Sequence, residues 1–243
     1  MKRYLYLIHR WLGITLCLFM AMWFFSGVVM MYVGYPRLTL FEKLASLPAL
    51  DAAQCCVDLD AALDASGEKK APQSIRLTSV GGAPRYIFEY EKNRSVAIDA
   101  RSGSRVVSVD EAAAIAAAKS FRAGADSVYL GVVDEDAWTH SKPLEAHRPM
   151  HRVQMADADG TLLYISGATG EVIRDATRTE RIWNWVGAWI HYLYIFRGGA
   201  TDPYWKDIIV YTSLTATVLA FLGLVVGLLR WRFSGRYKTG MKS

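Results

Sequence analysis

The feature that most constrains this chain is a pair of uncharged runs, one near each end. Residues 11–35 contain no Asp, Glu, Lys or Arg, and neither do residues 208–229. A bilayer core is crossed by roughly 20 apolar helical residues, so either run is long enough to span. The pattern predicts a transmembrane helix over 11–35, an extramembrane segment, and a second transmembrane helix over 207–231. Lys and Arg close to the membrane decide orientation. Lys2, Arg3 and Arg10 precede the first run. Arg230, Arg232, Arg236, Lys238 and Lys242 follow the second, and neither flank holds an acid. Residues 1–10 and the tail 232–243 are therefore expected in the cytoplasm. Residues 36–180 fall outside it, in the periplasm if the cell is Gram-negative, with the bacterial inner membrane as the location.

The first run exceeds the roughly 7–15 residues of a signal-peptide apolar region, and no A-x-A-like cleavage site follows. It reads as an uncleaved anchor. The net charge of +5 is largely accounted for by the two basic flanks. It speaks for orientation and contact with anionic lipid, not for nucleic acid. A third hydrophobic stretch, 182–196, reads IWNWVGAWIHYLYIF. As one helix it would cover about 22 Å, short of the ~30 Å core. Its Trp and Tyr suit the headgroup region, so residues 181–206 are expected to hold an interfacial helix and loop. Gly198, Gly199 and Pro203 mark the break before the second span. Inclusion of 182–196 in a span is the open alternative.

The segment between the runs repeats. Residues 96–107 read VAIDARSGSRVV and residues 163–174 read LYISGATGEVIR. At one offset Ile98 meets Ile165, Ser102 meets Thr169 and Gly103 meets Gly170, the pattern of a strand, a small-residue turn and a second strand. Glycine supplies the positive φ of such a turn cheaply. Further strand candidates lie upstream at 85–90 and 74–78 in one copy, and at 151–155 and 127–133 in the other. A helix candidate precedes each set, 57–65 and 108–121. Ser108 and Glu111 have capping-box spacing, and the alanines that follow favour helix. Each repeat, about 57–107 and 108–176, is thus read as helix, strand, strand, strand. The fold class expected is an α+β membrane protein: two transmembrane helices flanking a tandem of helix plus antiparallel sheet.

These residues carry a resemblance. A helix followed by strands ending in D-A-x-S/T-G-x-V, closest at Asp99-Ala100-Arg101-Ser102-Gly103, resembles the PepSY domain. His9-Arg10-Trp11-Leu12-Gly13 resembles the L-H-R-W-L-G opening of the PepSY-associated transmembrane helix family. Trp189-Ile190-His191 and Gly227-Leu228-Leu229-Arg230-Trp231 resemble that family's closing block. The resemblance covers essentially the whole chain and implies an association with siderophore uptake. Some larger members are haem-bearing inner-membrane reductases that release iron from siderophores. They have about four membrane helices, so this chain corresponds to their front half.

The resemblance makes His9 and His191 candidate haem ligands, imidazole being the usual axial group. His9 sits at the cytoplasmic mouth of the first helix and His191 at the entry to the second. A membrane's thickness separates them, so one haem cannot be held by both. A homodimer or a membrane redox partner would supply the second ligands. The plainer reading makes both histidines amphipathic interface residues. His147 and His151, in HRPMH with His140 nearby, are candidates for a metal or, with Arg148, for an anionic ferric siderophore. A solvated loop is the alternative. Gly223 and Gly227 form a G-x-x-x-G in the second span, and Ser26-Gly27 offer a small-residue counter-surface in the first, a helix-packing pattern. Cys17 reads as a small apolar side chain. The adjacent Cys55 and Cys56 are compatible with a local bridge, a free pair or an intermolecular bridge.

The chain has no G-x-S-x-G, no H-E-x-x-H and no glycine-rich phosphate loop, so hydrolytic and nucleotide chemistry find no support. Two functions remain. One is a haem-binding subunit, or a haem-dependent reductase component, of ferric iron or siderophore uptake. The other is a non-enzymatic, membrane-anchored interaction protein of the kind that regulates peptidases.

Overall fold

The computed structural model describes residues 2–51, 55–91 and 94–231. The basic tail expected over 232–243 lies outside the described residues. In chain order the helices and first sheet are α1 (Lys2–Tyr32), α2 (Leu40–Ser46), α3 (Leu59–Ala65), β1 (Ser74–Val80), β2 (Ala83–Tyr90), β3 (Arg94–Asp99) and β4 (Arg105–Val106). There follow α4 (Glu111–Phe121), β5 (Ser127–Val133), β6 (Met150–Met155), β7 (Leu162–Ser166), β8 (Val172–Ala176), α5 (Arg178–Val186), α6 (Ala188–His191) and α7 (Trp205–Arg230). The chain forms two compact units, Met1–Val33 with Trp183–Ser243, and Gly34–Ile182. The protein is α+β, with two long apolar helices and two antiparallel sheets.

In the first unit, α1 and α7 are each long and apolar enough to cross a membrane. Neither behaves as a core helix, because little of either is covered by the rest of the chain. Leu18 is 81% exposed and Met31 82%. A helix apolar on all sides and left uncovered needs an apolar surrounding. The hydroxyls of Thr15, Thr212, Thr215 and Thr217 bond back to carbonyls four residues earlier in their own helices. Their polar groups are thereby satisfied without water.

The single helix expected over 182–196 is broken into pieces. Helix α5 ends at Val186, α6 runs only from Ala188 to His191, and a 3₁₀ turn covers Tyr194–Phe196. The first break is at Gly187, where an added Cβ would stand 3.3 Å from Met30 Cγ, Val29 Cγ1 and the Trp183 carbonyl oxygen. The chain leaves helical geometry there to pass close to α1. The second break is Leu193, whose φ of 52° lies in the left-handed region.

In the second unit the sheets run β1-β2-β3-β4 and β5-β6-β7-β8, antiparallel throughout. Each repeat has four strands, the two upstream candidates and both arms of the turn, where the helix-strand-strand-strand summary counts the turn's arms as one. The far arm of each turn pairs as a strand of its own, Ala97 with Val106 and Ile165 with Val172. The two turns use the same device. The Asp99 carboxylate accepts from the Arg101 and Ser102 amides at 3.0 and 2.9 Å. The equivalent Ser166 hydroxyl accepts from the Thr169 amide at 3.1 Å. Gly103 and Gly170 follow at φ 72° and 74°.

Helix α3 covers the first sheet, with Ala62 against Phe88, Tyr90, Val96 and Ile98. Helix α4 covers the second, with Ala114, Ala117, Ala118 and Phe121 against Val153, Met155, Leu163 and Ile165. Alanines on that face let the helix approach the sheet closely. The cap of α4 is Asp110, whose carboxylate accepts from the Ala113 amide at 2.8 Å, and not Ser108. Asp110 takes the role because its carboxylate reaches the Ala113 amide three residues on, whereas a cap at Ser108 would serve the amide of residue 110 or 111.

Candidate functional site: two histidines seated on glycines

Helix α1 packs against both α6 and α7, and each contact is made around an imidazole. His191 closes α6. Its Nδ1 lies 3.2 Å from the hydroxyl of Ser26, which is fully buried, and its carbonyl accepts from Trp23 Nε1 at 2.9 Å. The ring passes over Gly27, where an added Cβ would be 3.6 Å from Cε1. Residues 23, 26 and 27 share one face of α1 through i, i+3, i+4 spacing. The Ser26 hydroxyl also lies 3.1 Å from the Trp23 carbonyl. The serine contact engages the Nδ1 side of the His191 ring and orients the imidazole from that side.

His9 occupies the α1–α7 contact. A Cβ on Gly223 would stand 3.0 Å from its Cε1, 3.7 Å from Nε2 and 3.8 Å from Nδ1. Nδ1 is buried with no hydrogen-bond partner. Along the end of α7 a groove of about 390 Å³ is lined by Gly223, Leu224, Gly227, Leu228, Arg230 and Trp231, and not by His9 itself. The Arg230 guanidinium at its end lies over the Tyr6 ring at 5.5 Å. The small residues expected to serve helix packing thus make room for imidazoles at Gly27 and Gly223, whereas Gly227 has nothing within 4 Å of an added Cβ. His9 and Ser26 are separated by 17 positions of one helix, about 26 Å at 1.5 Å per residue. The two histidines form two centres.

The histidines of the α+β unit are engaged separately. Residues 134–149 join β5 to β6, where the first repeat uses only Gly81 and Gly82. Tyr35 donates to the Ala137 carbonyl, and Arg174 binds the Trp138 carbonyl and the Ser141 hydroxyl. These contacts pin the long connection down. Within and beside it, His147 Nδ1 meets Ser166 Oγ at 3.0 Å and His151 Nδ1 meets the Tyr129 hydroxyl at 2.8 Å. Burial pushes the His147 pKa down. His140 meets Glu135, which also holds Arg148 at 2.7 Å. Among the described residues no three His, Cys, Asp or Glu side chains gather as a metal site. Cys55 and Cys56 are bonded to each other, and Cys17 is an exposed thiol.

Sequence reasoning missed the charge cluster centred on Glu171. Its side chain is 3% exposed and receives Arg76 of β1 and, at 2.9 Å, Lys43 of α2. Burial alone would raise its pKa. The Arg76 hydrogen bond and the Lys43 and Arg76 charges outweigh burial and hold it at about 2. Arg85 extends the link by donating to the Thr169 carbonyl at 2.6 Å. These contacts tie the repeats together, and nothing in the local sequence of residue 171 announces partners so far away.

No family model, no curated protein and no solved structure matches this chain.

Proposed function

We propose that this is a membrane protein of two spans whose helix pair holds haem through His191 and His9. In this reading it serves as a subunit of a system that reduces ferric iron or a ferric siderophore. Both termini lie in the cytoplasm and the α+β unit faces the opposite side. The observation that carries the reading is the His191–Ser26 pair. A buried hydroxyl engages Nδ1 of the imidazole, on a glycine that leaves the ring space. His9 adds a second imidazole on a glycine, with an orphaned buried Nδ1. An unsatisfied buried polar atom costs about 1–3 kcal/mol, so its retention calls for a role.

The residues fit a haem at the level of one imidazole per centre. His191 would ligate through Nε2, and His9 through a ring nitrogen. Arg230 would pair with a propionate, and Gly227, with nothing within 4 Å of an added Cβ, would leave room for the macrocycle. Bound there, haem supplies a one-electron couple. The chain orients the imidazoles through Ser26 at His191 and through the seat on Gly223 at His9. Because each centre has one histidine from this chain, a second copy or another subunit completes it. The test is an absorption spectrum of the full chain purified in detergent from haem-supplied cells. A Soret band is expected that weakens in His191→Ala and vanishes when His9 is also Ala. No band, or a band indifferent to both substitutions, rejects the reading.

A further inference from the structure

Helix α2 presents its apolar face outward. At about 100° per residue, Leu40, Phe41, Leu44 and Ala45 fall within an arc of about 140°. All four are exposed, Leu40 at 72%, Phe41 at 81% and Leu44 at 62%. Both charged residues of the helix are instead engaged by the protein. The Glu42 carboxylate closes the capping box with Thr39, and Lys43 pairs with the buried Glu171 at 2.9 Å. A surface helix bordered by water buries its apolar stripe and shows its charges. Here the ion pair holds the helix the other way round.

The apolar surface continues into a groove of about 320 Å³ between α2 and β1, lined among others by Leu47, Leu50 and Leu77. The cations beside it, Lys43 and Arg76, are already neutralised by Glu171 and Glu89. The face therefore offers hydrocarbon and no unpaired charge. Its place along the chain selects what covers it. Helix α1 ends at Tyr32 and α2 opens at Leu40, eight residues on, a reach of at most about 29 Å. The long apolar helix α1 thus keeps α2 close to whatever surrounds its own exposed side chains. The link carries one exposed cation, Arg37. At the other end of the α+β unit the chain shows the same trait, with Ile182 at 58%, Trp183 at 47% and Trp185 at 51% exposed. Large apolar side chains left uncovered beside a membrane helix mark a membrane contact.

We propose that α2 is a membrane-surface anchor whose Leu40, Phe41 and Leu44 enter the lipid leaflet from which α1 emerges, so that the partner of this face is the bilayer itself. An interfacial helix buries its apolar side about 5–10 Å into the boundary between headgroups and acyl chains. Arg37 is then placed to meet lipid phosphate. No protein has to be recruited, because the tether to α1 holds the lipid surface within reach at all times. The Lys43–Glu171 pair carries the anchorage into the second repeat. The inference rests on the two-span reading and is independent of haem.

The test is nitroxide labelling of the full chain in lipid nanodiscs, in a Cys17→Ala background, Cys55 and Cys56 being bonded to each other. Single labels go on Phe41→Cys, on Leu18→Cys at an 81% exposed position of α1, and on Arg101→Cys at the exposed corner of the first sheet. Oxygen concentrates in hydrocarbon and a nickel chelate in water, so the ratio of the two relaxation effects reports depth. That ratio is expected to be severalfold higher at residue 41 than at residue 101, and to fall to the residue 101 value when Leu40→Asp and Leu44→Asp are added. Circular dichroism controls for folding, and should the double variant misfold, the label comparison decides alone. Equal ratios at 41 and 101, with residue 18 in lipid, would overturn the anchor and leave the two spans standing. A water-like ratio at residue 18 would overturn both. A ratio at 41 unmoved by the two Asp substitutions would also sink the proposal. So would spin–spin broadening at 41 that vanishes on dilution with unlabelled protein and brings no gain in oxygen, since the occupant would then be a second copy.

Discussion

A Cβ placed on Gly223 of α7 would stand 3.0 Å from Cε1 of His9 on α1. The glycine is what lets the imidazole lie between the two helices. Gly223→Ala is therefore expected to force the ring aside and destabilise the helix pair by about 1–3 kcal/mol, as overpacking does. Gly227→Ala, with nothing within 4 Å of the new atom, should change stability by less than about 0.5 kcal/mol. Thermal unfolding in one detergent separates the two. Equal effects would show that the glycines serve helix propensity and not the ring.

Ser26→Ala should release the His191 tautomer. The Ser26 contact at Nδ1 is expected to favour the Nδ1–H tautomer, so ¹⁵N spectra of labelled histidine should show Nδ1–H and a bare Nε2. The variant should shift toward a mixture and lose about 1 kcal/mol for the missing hydrogen bond. An unchanged nitrogen pattern would remove Ser26 from any orienting role.

Glu171→Gln leaves Arg76 and Lys43 beside a neutral amide. The cost should be roughly 2–4 kcal/mol, since one partner of a buried ion cluster has gone. The pH dependence has a definite sign. The folded carboxyl is held at about 2, against an ordinary 4.5. Its stabilisation is complete above about 4.5 and is lost as pH falls from there toward 2. Denaturant melts of wild type and variant should converge across that window.

Asp175 behaves oppositely. Burial, helped by the nearby Glu42 and Glu180 charges, pushes its carboxyl up to about 6 from an ordinary 3.8, with Arg122 at 3.7 Å offsetting only part. A raised folded value favours the neutral form. The contribution is present below 3.8 and lost as pH rises through about 6. Asp175→Asn should therefore stabilise the protein at pH 7 by about 1–2 kcal/mol and bring no gain below pH 4. A loss at pH 7 would mean the Arg122 contact dominates.

The parts legible in the sequence were those written in local pattern. Two uncharged runs became α1 and α7, and the aligned turns at Asp99 and Ser166 became equivalent corners of two sheets. Capping was misread by two residues because Ser108 and Asp110 are both good cap types, and the helix starts after the second, whose carboxylate takes the Ala113 amide. The aromatic stretch 182–196 looked like one helix because composition hides what Gly187 does, which depends on α1 lying against it. The candidate histidines were visible as residue types. Their seats on Gly27 and Gly223 were not, since a sequence does not say which faces of two distant helices meet. The groove beside β1 was invisible for the same reason. It depends on α2 standing over a strand more than thirty positions away.

The Glu171 cluster also bears on how the chain comes to be made. The Arg76 guanidinium and its carboxylate are 95 residues apart, and Lys43 is earlier still. A nascent chain emerging from the ribosome displays both cations long before their anion is synthesised. The first repeat cannot finish its own electrostatics, and the domain matures only when the second copy has followed it out.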